Sequence, residues 1–205
     1  MKLYYSPGAC SLSPHIALRE ANVPFALERV DIRAETTQTG ASYLAVNPKG
    51  CVPALELDDG LVLTEGAVIV QYVADLRPAS KLAPAQGSFE RVRLQEWLNF
   101  IATELHKGLS PLYAPGAGDE FKATWRSNRI EPSLDFLAQS LTGKSFLMGE
   151  TFTVADGYAY YVLRAWQSGL IKGDLSRWQV LRDYSARIGE RPAVQAALAA
   201  EAAPA

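Results

Sequence analysis

The chain has 205 residues, enough for one large domain or two small ones with a core that needs no covalent staples. Its 48% hydrophobic and 20% charged residues are the composition of an ordinary soluble globular protein, and a net charge of -2 offers no footprint for nucleic acid or an anionic membrane. Cys10, Cys51, His15 and His106, the full complement of cysteine and histidine, form neither a disulfide framework nor a zinc-ligand spacing, so no metal is expected.

The start of the chain carries Lys2, but Pro7, Gly8, Pro14 and His15 then interrupt any apolar signal core. The longest apolar run, AVIVQYVA, is broken by Gln71 and falls far short of the ~20 residues a membrane helix needs. A reduced, cytoplasmic protein is expected.

In chain order, KLYY reads as a strand, Ser11 to Ala21 as a helix and FALERVDI as a second strand with imperfectly separated faces, which together open a βαβ unit. Ala54 to Leu57, the turn Asp58-Asp59-Gly60, and Leu61 to Leu63 form a hairpin. A helix then starts at Thr64 or Glu65 and ends before Pro78. RPASKLAPAQGS, Arg77 to Ser88, has the composition of a connection.

Everything beyond it reads helical. Glu90 to Leu112 places Leu94, Trp97, Leu98, Ile101, Leu105 and Leu109 on one apolar face. Phe121 to Leu141 follows, weakened by Pro132, and then Thr153 to Gln167, Trp178 to Gly189 and Pro192 to Ala202. The Ala-rich tail should fray.

Five stretches could carry chemistry. Cys10 lies between a strand-turn and a helix start, where N–H groups and the helix dipole favour a thiolate; a small buried hydrophobe is the bland reading, and position favours a functional thiol. Val52-Pro53 directly precedes a strand, and position alone leaves its peptide bond trans. Thr64, Glu65 and Gly66 set a hydroxyl, a carboxylate and a glycine at a helix start, suited to an anion or simply to capping. Asn99, Thr103, His106 and Ser110 form a polar stripe opposite the apolar face, by default a solvated one. Thr153 and Asp156 make a capping box with Phe152 as its staple residue, a folding role.

MKLYYSPGACSLSPHIALRE, NPKG-x-VP, LTEGAVIVQYVAD, EWLNFIATELHKG and FTVADGY, in this order and over essentially the whole chain, resemble the signatures of the bacterial beta-class glutathione S-transferases. The resemblance implies an α/β N-terminal thioredoxin-like domain plus an all-α C-terminal domain. Residues 1–78 would bind glutathione, 79–86 would be a linker, and 87–205 would be helical and carry much of the electrophile pocket. A homodimer is also implied.

Carried onto this chain, the backbone of Val52 would pair with glutathione's cysteinyl unit, with Pro53 cis. Glu65 would meet the γ-glutamyl ammonium and the Gly66 N–H its carboxylate, with Asn99 a further contact. Cys10 would face the glutathione sulfur, with Ser11, His106 and Lys107 nearby. The activity implied is conjugation of the glutathione thiolate to small hydrophobic electrophiles, whose pocket Tyr113, Phe121 and Trp166 are candidates to line. The alternatives are a glutathione-dependent thiol-disulfide oxidoreductase acting through Cys10, and a non-catalytic binder of hydrophobic compounds.

Two departures stand out. The family commonly has a lysine near Glu35 or Thr36 for the tripeptide's glycine carboxylate, and this chain has none; Arg33 or Lys107 could substitute. Cys51 beside Val52 adds a second thiol that could exchange disulfides with Cys10.

Overall fold

In the computed structural model, which describes residues 1–203, the chain packs as two compact units: Met1–Ala83 together with the chain from Glu190 onward, and Pro84–Gly189. The last residues of the tail expected to fray, 204–205, lie outside the described residues.

The first unit is a mixed five-stranded sheet with helices. Strand β1 (Lys2–Tyr5) and strand β2 (Ala26–Asp31) run parallel, Leu3 opposite Leu27, joined by helix α1 (Leu12–Glu20). Strands β4 (Ala54–Glu56) and β5 (Val62–Thr64) form the antiparallel hairpin, and a two-residue strand β3 (Thr36–Thr37) caps the other edge, giving the order β3-β2-β1-β4-β5. Leu3, Tyr4 and Tyr5 are all buried because β1 is central and covered on both faces, whereas of β2 only Val30 is buried. That near-edge position accounts for the mixed pattern of FALERVDI. Helix α2 (Gly66–Leu76) turns Ile69, Val70, Val73 and Ala74 into the core and ends before Pro78.

Helix α9 (Pro192–Ala202) is the element that departs from the sequence-based partition into 1–78, 79–86 and 87–205. Its Val194 and Ala197 are buried, and Arg191 at its start forks onto Glu20 of α1 at 2.6 and 2.9 Å. Small side chains let this helix lie close to α1, so it belongs to the sheet unit.

In the second unit, α3 (Phe89–Phe100) continues through a π-helical stretch at Ile101–His106 and a 3₁₀ turn at Lys107–Leu109 into α4 (Ser110–Tyr113). The Ser88 hydroxyl caps α3 by accepting from the Arg91 N–H at 3.1 Å. Leu94, Leu98, Ile101, Leu105 and Leu109 are buried, as their periodicity requires. Helices α5 (Asp119–Trp125) and α6 (Glu131–Ser140) are likewise joined by a π-helical stretch, Arg126–Ile130. Pro132 explains it: proline has no N–H to donate and its ring collides with the carbonyl four residues back, so the turn widens and the helix restarts. Helices α7 (Val154–Trp166) and α8 (Gln179–Gly189) complete the unit.

The capping box forms at the start of α7. The Asp156 carboxylate, fully buried, accepts from the Thr153 N–H at 2.8 Å and the Thr153 hydroxyl at 2.9 Å. It also takes the Leu147 N–H at 2.8 Å and the Tyr184 hydroxyl at 2.7 Å, while Phe152 meets Phe146 edge to face. Burial holds the Asp156 carboxyl above the usual carboxylate range against these donors.

Candidate functional site

The loop between β1 and α1 presents Cys10 half-buried, its thiol donating to the Val52 carbonyl at 3.2 Å. Ser11 is wholly buried; its hydroxyl accepts from the Ser6 N–H at 3.2 Å and donates to the Ser6 carbonyl at 3.3 Å, closing the loop that holds Cys10. Behind the loop lies a network that the sequence did not disclose. Buried Glu201 of α9 takes the Gly8 N–H at 3.3 Å on one oxygen and faces His15 Nδ1 at 3.0 Å with the other. Arg19 Nε donates to His15 Nε2 at 2.9 Å, so the proton of a neutral His15 sits on Nδ1 and points at Glu201. A contact spanning that much sequence leaves no local signal.

The Val52-Pro53 peptide bond is cis. Val52 is buried in a cluster with Tyr4, Val30, Tyr43 and Ala54, and the Tyr43 hydroxyl donates to the Cys51 carbonyl at 2.8 Å. Burial pushes the Tyr43 hydroxyl up to about 12, so it remains a donor across the physiological range. Ala54 pairs with Thr64 across the hairpin, which brings Val52-Pro53 alongside Glu65-Gly66; a Cβ added at Gly66 would lie 3.8 Å from the Pro53 ring. Glu65 stands at the N-cap of α2 with φ at 69°, a strained conformation for a residue with a Cβ, and its side chain is exposed. Val52, Pro53, Glu65 and Gly66 thus share one end of the hairpin with Cys10. Glu35 and Arg33 lie on the exposed stretch that follows β2.

Neither cysteine is in a disulfide. Cys51 is exposed and its sulfur turns to the Lys49 carbonyl at 3.2 Å, while the Cys10 sulfur turns to Val52.

In the second unit Asn99, Thr103, Lys107 and Ser110 are exposed, as a solvated stripe would be. His106 is not: its Nδ1 lies 2.8 Å from the Tyr158 hydroxyl, and its ring packs edge-on to Tyr158 and Tyr161 of α7. The tyrosine ring edges and the Tyr158 hydroxyl of α7 take up both the apolar body and the polar edge of the imidazole, which a solvated position would not. Burial, with the Lys107 cation adding to it, pulls the His106 imidazole down to about 4, so it is neutral at pH 7. Of the candidate pocket residues, Tyr113 and Phe121 are exposed, but Trp166 is core, 1% exposed, with its indole N–H on the Asp174 carbonyl at 3.0 Å. Among the described residues no cluster of three or more His, Cys, Asp or Glu is gathered as a metal ion needs, and no helix is long and apolar enough to cross a membrane.

Two family models match the chain, the glutathione S-transferase N-terminal domain over residues 8–76 and the glutathione S-transferase C-terminal domain over residues 103–201. The chain is 46% identical to glutathione S-transferase GstA of Escherichia coli O157:H7, over 98% of each chain. It superposes with a TM-score of 0.94 on a sphingomonad glutathione S-transferase complexed with glutathione, at 45% identity and covering all of both chains. A beta-class glutathione S-transferase of Sphingomonas chungbukensis gives a TM-score of 0.93 at 44% identity, with 98% of this chain and 99% of that one covered.

Proposed function

The chain belongs to the glutathione S-transferase family, in its bacterial beta class, and on that premise we propose that it joins the sulfur of glutathione to small hydrophobic electrophiles. The observation that carries this reading is the hairpin end of the first unit, where the Cys10 thiol lies 3.2 Å from the carbonyl of Val52 and the Glu65 carboxylate opens α2 alongside. An extended peptide can add to the Val52 backbone as an extra strand, its ammonium on Glu65 and its α-carboxylate on the Gly66 N–H at the helix start. Cys10 then meets the incoming sulfur. The wholly buried Ser11 acts through the Ser6 loop. Asn99, His106 and Lys107 belong to the second unit, and their assignment to the tripeptide rests on the family resemblance; a neutral His106 suits a hydrogen-bond partner better than a cation.

Ionisation alone does little for such a reaction. Lowering a thiol from about 8.5 to about 6.5 raises the thiolate fraction at pH 7 roughly 25-fold, from roughly 3%. A Brønsted slope near 0.45 returns roughly 8-fold of that in lost nucleophilicity, leaving about 3-fold. Holding the reactants in line is worth far more, so the clamp at Val52, Glu65 and Gly66 should matter at least as much as Cys10.

Thiol-disulfide exchange through Cys10 is the second reading, favoured by a half-buried sulfur that is not tied up in a disulfide. Assaying a nitroaromatic acceptor and a glutathione mixed disulfide side by side separates the two; turnover of neither, with tight binding of apolar compounds, leaves only a binding role. A homodimer in the cytoplasm completes the proposal, supported by the beta-class relationship and by the absence of a membrane-spanning helix among the described residues.

A further inference from the structure

Lys49 lies in the stretch Asn47–Gly50, and every anchor of that turn is accounted for. The Gly50 N–H donates to the Asn47 carbonyl at 2.9 Å and the Lys49 N–H to the Asn47 side-chain oxygen at 3.1 Å. Asn47 is buried, and its amide donates to the Cys51 carbonyl at 2.6 Å, the same carbonyl that buried Tyr43 holds. Gly50 sits at a φ of 65°, where a side chain would be strained. A turn fixed in this way aims the Lys49 side chain across the hairpin end. Its ammonium reaches Glu65 Oε1 at 2.5 Å and the Thr64 hydroxyl at 2.8 Å.

A carboxylate oxygen and a hydroxyl oxygen on one primary ammonium are the partners a γ-glutamyl ammonium would also take. We propose that Lys49 is a built-in competitor for that ammonium: glutathione enters by exchanging its own amino group for that of Lys49 at Glu65. The proposal rests on the reading above in which Glu65 receives the ligand's ammonium. The contact is suited to exchange and not to closure, because the Lys49 and Glu65 side chains are 50% and 68% exposed. Exposed ion pairs of this kind are worth a factor of about 1.5 to 5 in an equilibrium constant, so Lys49 lowers affinity without shutting the site. Lysine also fits the role better than arginine would, being a compact point charge with no bidentate grip on a carboxylate. Ligands without an amino group need not displace Lys49, so the competition falls only on those that have one.

Isothermal calorimetry with glutathione and with glutaryl-cysteinylglycine, which lacks the α-amino group, tests this on the full chain and on the variants Lys49→Met, Lys49→Gln, Glu65→Gln and the double variant Lys49→Met/Glu65→Gln. Both Lys49 variants should bind glutathione about 2- to 5-fold tighter while leaving the amino-free analogue within about 2-fold, and the gain should vanish when Glu65→Gln is also present. Unchanged or weaker glutathione binding in both Lys49 variants, with Glu65→Gln still weakening it, overturns the competitor role alone. If Glu65→Gln leaves glutathione affinity unaltered, the assignment of Glu65 itself falls and the competitor role goes with it.

Discussion

The helical unit and the hairpin end of the sheet unit treat their polar groups in opposite ways. In the helical unit Asp156 is fully buried and takes four donors from Leu147, Thr153 and Tyr184, and His106 is turned inward onto Tyr158. At the hairpin end, unlike the buried Glu201–His15 network elsewhere in the same unit, the polar groups stand at the surface: Glu65 is exposed on a strained backbone and shares its carboxylate with a half-exposed Lys49. A buried polar group lacking its partner costs far more than an exposed one, so the first arrangement specifies a fold and the second leaves groups available for exchange. Strain at Glu65 fits the same division, since conformations that cost free energy persist where the surroundings over-determine them and a ligand makes use of them.

If that contrast is right, substitutions at the buried groups of the helical unit and at the hairpin end should separate stability from binding. The largest effect is expected for Asp156→Ala, which strands four donors at the start of α7: urea denaturation should show a loss of about 3 to 5 kcal/mol. A loss under 1 kcal/mol would erase the contrast.

His106 comes next and is read by pH. Its folded-state value of about 4 lies below the ordinary 6.5, so the unfolded chain binds more protons between these limits. Its contribution is fully present above pH 6.5 and is lost as pH falls through about 4, amounting to as much as about 3 kcal/mol. Denaturation midpoints of the parent and His106→Asn should therefore converge on acidification across that window; parallel curves would mean that His106 is not held neutral.

Glu65→Ala should instead spare stability, within about 0.5 kcal/mol, while weakening glutathione binding about 10- to 100-fold through loss of a charge-assisted hydrogen bond. Calorimetry on the same samples used for denaturation checks both halves. Smallest is Cys10→Ala in the conjugation assay, where the ionisation balance predicts a change of only about 3-fold, alongside complete loss of exchange with a mixed disulfide. Surviving exchange with abolished conjugation would reverse the roles given to that thiol.

Much of this was legible locally. KLYY, the Asp58-Asp59-Gly60 turn, the capping box at Thr153 and the span Pro192–Ala202 each declare themselves through a period, a turn residue or a cap within a few positions. The order of residues along the chain therefore determined the elements, and the motifs they carry determined the family.

Tertiary structure alone decided the rest. It set α9 against α1, tied Gly8 and His15 to Glu201, turned His106 from its stripe onto Tyr158, and delivered Lys49 to Glu65. Each of these joins residues with no shared periodicity. Local sequence fixes backbone preference one turn at a time, whereas which charges meet is settled only when the packed core has chosen how the elements lie.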